Sequence, residues 1–183
     1  DLHLGAHPMG DGKWWYGVSV ENGRIKDEGE RKYRSGLRAV VERLAPSIRL
    51  TPMQDVLLCG LTMGQVQEAE SILSAHGVPL GEAVSPTRRH SMACPAIPTC
   101  GLAISEAERA LPGIMDELDA KLVQLGLGRE AVGVRMTGCP NGCVRPYQSD
   151  IGIVGRSGDK YTLFIGGNVL GNRLNTLLRD LVP

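Results

Sequence analysis

Tyr33, Leu37, Val40, Val41 and Leu44 recur at the three- and four-residue spacing of a helix with one apolar stripe, with Ser35 near its start and Pro46 as its stop. The segment before it, KWWYGVSVENGRIKD (residues 13–27), holds two short runs around Asn22-Gly23. That dipeptide tolerates the positive φ of a tight turn, which predicts a hairpin. SIRLTP and DVLLCGL follow as two runs of strand length, and Thr62-x-x-Gln65 then has the form of a capping box. It opens a helix through Val66, Ala69, Ile72 and Leu73 that Gly77 ends. The order ββαββα predicts an α+β unit, ferredoxin-like, with helices covering one face of a mainly antiparallel sheet. Cys59, inside DVLLCGL, is expected to pack as a small buried hydrophobe.

The passage GVPLGEAVSPTRRH (residues 77–90) is rich in turn formers and places a boundary near Ala83 to Pro86, giving units 1–84 and 85–183. In the second, Ile104, Ala107, Leu111, Ile114, Met115, Leu118, Leu122 and Leu125 predict a helix. Ser105-x-x-Glu108 is its candidate cap, Gly126 its stop, and Pro112 should kink or restart it. AVGVRMTG, DIGIVG and KYTLFIGG read as strands, and NRLNTLLRDL as a closing helix. The second unit is therefore mixed α/β.

Composition narrows the function. Twenty basic residues balance twenty acidic ones, so no global field draws nucleic acid or an anionic membrane surface. No apolar run reaches the length of a spanning helix, and DLHLGAHPMG lacks the regions of a signal peptide. A soluble, intracellular chain is expected, and the opening without Met suggests part of a longer polypeptide. His3, His7, His76 and His90 are scattered without ligand spacing.

The chemistry lies in the cysteines. MTGCPNGCVRPY sets Cys139 and Cys143 in a C-x3-C turn, and ACPAIPTCGLAISEAER sets Cys94 and Cys100 in a C-x5-C loop. Both pairs sit at predicted element ends, where loops present ligands from a rigid scaffold. Disulfides are disfavoured by the odd cysteine count and the missing secretion signal. Zinc sites use four thiolates too, usually on tighter knuckles; the wide loop and the lack of any charged side chain in residues 92–105 and 136–144 favour an iron-sulfur cluster. Backbone N–H groups of Gly101, Gly138 and Gly142 are placed to approach its sulfurs.

SMACPAIPTCGLAISEAERALP and RMTGCPNGCVRPY resemble the signature segments of siroheme-dependent assimilatory sulfite reductases, relatives of the siroheme nitrite reductases. DIGIVGRSGDKYTLFIGGN continues the likeness, and ENGRIKD and SIRLTPMQDVLLCG extend it upstream. Pro98-Thr99 and Arg145-Pro146-Tyr147 resemble the sulfite branch, and Gly101 and Tyr147 its ferredoxin-dependent members. The resemblance implies a 4Fe-4S cluster on Cys94, Cys100, Cys139 and Cys143, with Cys143 also the thiolate shared with siroheme iron. It implies Arg88, Arg89, Arg135 and Arg145 as partners for siroheme carboxylates, and Asn141 and Gln54 as cofactor-adjacent. It further implies sulfite as substrate, a donor such as ferredoxin, and a cytoplasmic location, or the plastid stroma in a plant or alga. Enzymes of this family have two homologous halves, and the half that mainly supplies the sulfite-binding basic residues is not in this sequence. The chain resembles the C-terminal half and is expected to be inactive alone. Three other readings stay open: a siroheme nitrite reductase, an iron-sulfur electron-transfer module without siroheme, and a structural zinc domain.

Overall fold

The computed structural model describes residues 3–168 and 170–183, which form two compact units, residues 1–84 and 85–183. In the first, β1 (Gly5–Pro8), β2 (Trp14–Val18), β5 (Ser47–Leu50) and β6 (Val56–Leu61) form an antiparallel sheet of order β1-β2-β6-β5. A two-stranded ribbon, β3 (Asp27–Glu28) and β4 (Arg31–Lys32), precedes α1 (Tyr33–Leu44), and α2 (Met63–Ala75) follows β6. The two helices pack on each other, and α2 packs on β2 and β6. Alternate residues of the central strands enter the core: Tyr16 and Val18 from β2, Val56 and Leu58 from β6, meeting Val40, Val66, Ala69 and Leu73 of the helices. The capping box is present in full, with Thr62 Oγ1 accepting from Gln65 N–H and Gln65 Oε1 from Thr62 N–H. Cys59 is buried.

The ββαββα order holds, but its first hairpin is not where Asn22-Gly23 predicted. Asn22 (φ 53°) and Gly23 (φ 71°) do make a left-handed turn, yet it is one turn of 3-10 helix, Glu21–Gly23. The hairpin partner of β2 is β1, joined through residues 9–13, and its other neighbour is β6. Local turn chemistry was right and the pairing was not, because pairing is settled by which edge buries β2.

The second unit holds one five-stranded mixed sheet of order β11-β10-β9-β8-β7. β7 (Met92–Ala93), β8 (Val134–Thr137) and β9 (Ile151–Ser157) are parallel neighbours, while β10 (Lys160–Ile165) pairs antiparallel with β9 and β11 (Thr176–Val182) antiparallel with β10. Short turns α3 (Pro86–Arg89) and α4 (Ala96–Thr99) flank β7, and α5 (Leu111–Gln124) carries the crossover to β8, burying Leu111, Met115 and Leu122. All four residues of β8 are buried, as in a strand covered on both faces.

Two expectations fail here. The main helix starts at Leu111 with Pro112 in its first turn, and residues 104–110 are turns, so Ser105 caps nothing; its hydroxyl is buried without a hydrogen-bond partner. Proline favours a first turn, where its missing N–H costs nothing. The predicted C-terminal helix is a strand: within NRLNTLLRDL, Thr176, Leu177 and Arg179 pair with Ile165, Phe164 and Leu163 of β10.

Candidate functional site

The parallel neighbours β7 and β8 end side by side, and each ends in cysteine. Cys94 follows β7; its N–H donates to Met136 O at 3.1 Å, extending the ladder by one rung. The chain then turns through α4 and returns at Cys100, whose N–H donates to Ala96 O at 2.7 Å. Beyond it, Ile104 and Ser105 N–H both donate to Gly138 O, at 2.9 and 3.0 Å. Gly138 in turn gives its own N–H to Cys94 Sγ at 3.3 Å. The residue before Cys139 is thus tied by its two backbone groups to both ends of the C-x5-C segment. Only glycine fits there: a Cβ would stand 2.5 Å from Ser105 O and 2.7 Å from Ala96 Cβ.

The second pair occupies the turn leaving β8. Thr137 Oγ1 donates to Cys139 O at 3.0 Å, Gly142 takes φ 68°, and Arg145 N–H closes the turn on Gly142 O at 2.8 Å. Asn141 Nδ2 lies 3.6 Å from Cys143 Sγ as a donor. Arg145 is itself left-handed (φ 56°), as is Ala96 (φ 48°) in the other segment. Both non-glycine residues hold sparsely populated conformations because the surrounding bonds determine them.

All five cysteines are free thiols; Cys94 is buried, Cys100 and Cys139 are half-buried, and Cys143 is exposed. Burial pushes the Cys94 thiol up, the N–H groups of Gly138 and Ala96 pull it down, and Cys143 and Cys139 push it up again. Cys94, Cys139 and Cys143 therefore share one electrostatic neighbourhood. Among the described residues no three His, Cys, Asp or Glu side chains converge closely enough to hold a single metal ion.

The predicted arginines divide. Arg135 on β8 is only 3% exposed; one guanidinium nitrogen donates to Arg145 O at 3.4 Å, while its Nε is buried with no hydrogen-bond partner. Burial lowers its pKa, the Arg145 charge lowers it further, and Asp150 opposes both. Arg145 also places a guanidinium nitrogen 3.8 Å from Met92 Sδ, so the two arginines and the end of β7 form one cluster. Arg88 instead faces α5, with Nε 3.1 Å from Asp119 and a second nitrogen on Asp116. Arg89 closes α3. Gln54 lies in the first unit, in the turn between β5 and β6, with φ 70°.

Sequence reasoning missed Asn175. Its Nδ2 donates to Pro146 O (2.7 Å) and Ser149 O (3.2 Å), and its N–H to Tyr147 O (2.9 Å), so one side chain clamps the segment that follows Arg145. A lone asparagine between Leu174 and Thr176 gives no local signal of such a role.

Residues 7–76 match the nitrite/sulfite reductase ferredoxin-like half domain. A ferredoxin sulfite reductase of Synechococcus elongatus is 45% identical over 172 residues, 94% of this chain and 28% of that protein. These likenesses support a nitrite/sulfite reductase family protein. The NADPH sulfite reductase hemoprotein beta-component of Staphylococcus saprophyticus is 39% identical over 171 residues, 93% of this chain and 30% of that protein. The chain thus spans under a third of the length of these two relatives. A solved structure of the Mycobacterium tuberculosis NirA protein superposes with a TM-score of 0.79 at 24% identity, covering 97% of this chain and 33% of that one, and shows the same fold. No described helix is long and apolar enough to cross a membrane.

Proposed function

We propose that this chain is the C-terminal part of an assimilatory sulfite reductase, catalysing six-electron reduction of sulfite to sulfide. The observation that carries the reading is the pair of cysteine segments joined through Gly138 at the ends of two adjacent parallel strands. The donor set fits a 4Fe-4S cluster on Cys94, Cys100, Cys139 and Cys143. Zinc sites usually sit on tighter knuckles, whereas a cubane takes one thiolate per iron and suits the wide C-x5-C loop and the uncharged residues 92–105 and 136–144. The Gly138 N–H aimed at Cys94 Sγ is a further mark of fit, since such bonds stabilise thiolate and tune potential.

The orphaned Nε of buried Arg135, next to Arg145, fits the carboxylates of siroheme. Arg135, Arg145 and Arg89 would hold them, with Asn141 beside the thiolate of Cys143. Arg88, engaged by two aspartates, is the weaker candidate of the four. Bound together, siroheme and cluster would supply single low-potential electrons for the reduction of a small anion. This chain's own residues do the holding: Cys143, exposed, would be the shared ligand, and the two arginines would neutralise the macrocycle's charge.

Ferredoxin is the proposed donor, since the 45% identical relative is a ferredoxin enzyme; the hemoprotein relatives at 39–41% identity keep the NADPH type in view. The nitrite-reducing alternative has less support, because the relatives are named sulfite reductases. The compartment proposed is the cytoplasm, or the plastid stroma in a photosynthetic eukaryote.

Substituting Ser for Cys94, Cys100, Cys139 or Cys143, one at a time, should abolish cluster uptake on anaerobic loading, whereas Cys59→Ser should leave iron and sulfide content unchanged. Full iron content in Cys139→Ser with loss in Cys59→Ser would refute the ligand set. The 183-residue chain alone is expected not to reduce sulfite with reduced methyl viologen. Siroheme-dependent sulfide production by it would place the substrate site within this chain.

A further inference from the structure

The C-x5-C loop is held from a direction that the ligand assignment leaves unexplained. Arg109, in the turn before α5, donates from one terminal nitrogen to Ile97 O at 2.9 Å, at the middle of the loop between Cys94 and Cys100. The same nitrogen lies 3.3 Å from Glu106 Oε2. Glu106 is fixed in turn: its Oε1 accepts from Ala107 N–H at 2.8 Å, and its backbone carbonyl accepts from Tyr161 OH at 2.9 Å. Tyr161 belongs to β10, and burial raises its pKa, so the hydroxyl stays a donor across the physiological range. A continuous line of bonds thus runs from the sheet through Glu106 and Arg109 to the cysteine loop. An ion pair as exposed as Arg109–Glu106 contributes little stability itself. Its geometric effect is larger, because residues 92–105 carry no charge and the Arg109 guanidinium is brought onto that loop.

Resting on the assignment of Cys94 and Cys100 as cluster ligands, we infer that Arg109 is a positioning residue: it fixes the Ile97 carbonyl, hence the spacing of the two thiolates, and brings a cation, partly offset by Glu106, to the middle of their loop. That charge favours the reduced, more negative state of whatever the thiolates hold.

The test compares Arg109→Leu, which removes both donor and charge, with Arg109→Lys, which keeps the charge and one donor, in the full chain loaded anaerobically with ferrous iron and sulfide. Arg109→Leu should shift the midpoint potential to more negative values and speed chelator-driven iron loss about tenfold, the fold-change expected for one charged hydrogen bond. Arg109→Lys should restore the potential and only part of the retention. In the metal-free chain, hydrogen exchange over residues 94–100 should quicken in Arg109→Leu while α5 keeps its protection. Unchanged potential and iron loss in loaded Arg109→Leu, or unchanged exchange in the metal-free form, would overturn the inference. Failure of the unsubstituted chain to take up a cluster would instead overturn the ligand assignment, and this inference with it.

Discussion

Replacing Gly138 by alanine tests whether the two cysteine segments are built as one unit. The added methyl would meet Ser105 O at 2.5 Å, Ala96 Cβ at 2.7 Å and Ala103 Cβ at 3.2 Å, and the nearest of these atoms is backbone. Overpacking of this kind costs about 1–3 kcal/mol. Relief by displacing Gly138 would weaken the bonds from Ile104 and Ser105, each contributing about 0.5–1.5 kcal/mol. A destabilisation of the second unit by about 2–6 kcal/mol follows from these two terms. Gly113→Ala is the internal control: it lies in α5 with nothing within 4 Å of the new methyl, and should stabilise the same unit by about 0.5–1 kcal/mol through helix propensity. Both tryptophans, Trp14 and Trp15, lie in the first unit, so fluorescence during urea unfolding serves as the reference transition and pulse proteolysis follows the second. If Gly138→Ala unfolds at the same urea concentration as the parent, the close approach at Gly138 is not what joins the segments.

Asp55 should make the first unit's stability pH-dependent. Burial raises its pKa to about 6 against bonds from Val20 and Ser19 that lower it, so the folded state binds the proton more tightly than the unfolded chain. Stability is then lost as pH rises from about 4 through 6, and Asp55→Asn, which keeps an acceptor for Val20 N–H, should gain on the parent by roughly 2–3 kcal/mol across that window; parallel stability curves from pH 4 to 7 would contradict this. For Asn175→Ala, hydrogen exchange should quicken over residues 146–149 at a cost of about 1–3 kcal/mol, and Asn175→Asp should cost more, since a carboxylate would face the carbonyls of Pro146 and Ser149; equal effects of Ala and Asp would argue against the clamp.

Elements that bury a single stripe were legible in the sequence. Tyr33, Leu37 and Val40 of α1 and Val66, Ala69 and Leu73 of α2 lie in the core as their spacing indicated, Val41 does not, and Thr62 and Gln65 cap as expected. The cysteine segments were legible as pairs because their spacing and lack of charge are local. What joins them was not, since the bond from Gly138 to Cys94 spans 44 residues and involves a backbone N–H that carries no sequence signature. The C-terminal segment failed for a related reason: Leu174, Leu177, Leu178 and Leu181 have helical spacing, yet antiparallel pairing with β10 makes residues 176–182 a strand. Asn22-Gly23 marked a turn correctly and its pairing wrongly, because a turn states where the chain reverses and not which neighbour it meets.

Carrying the two thiol pairs on parallel neighbours has a kinetic meaning. Parallel strands cannot be joined by a tight turn, so Cys94 meets the Gly138 peptide only after the whole crossover through α5 has closed. Contacts of such long range form slowly and late. Metal loading at these cysteines would therefore not seed the fold, as a zinc knuckle seeds a finger. It would act as a checkpoint, recording that the topology was already complete, and a chain stalled before β8 docks beside β7 would expose two separate and readily oxidised thiol pairs.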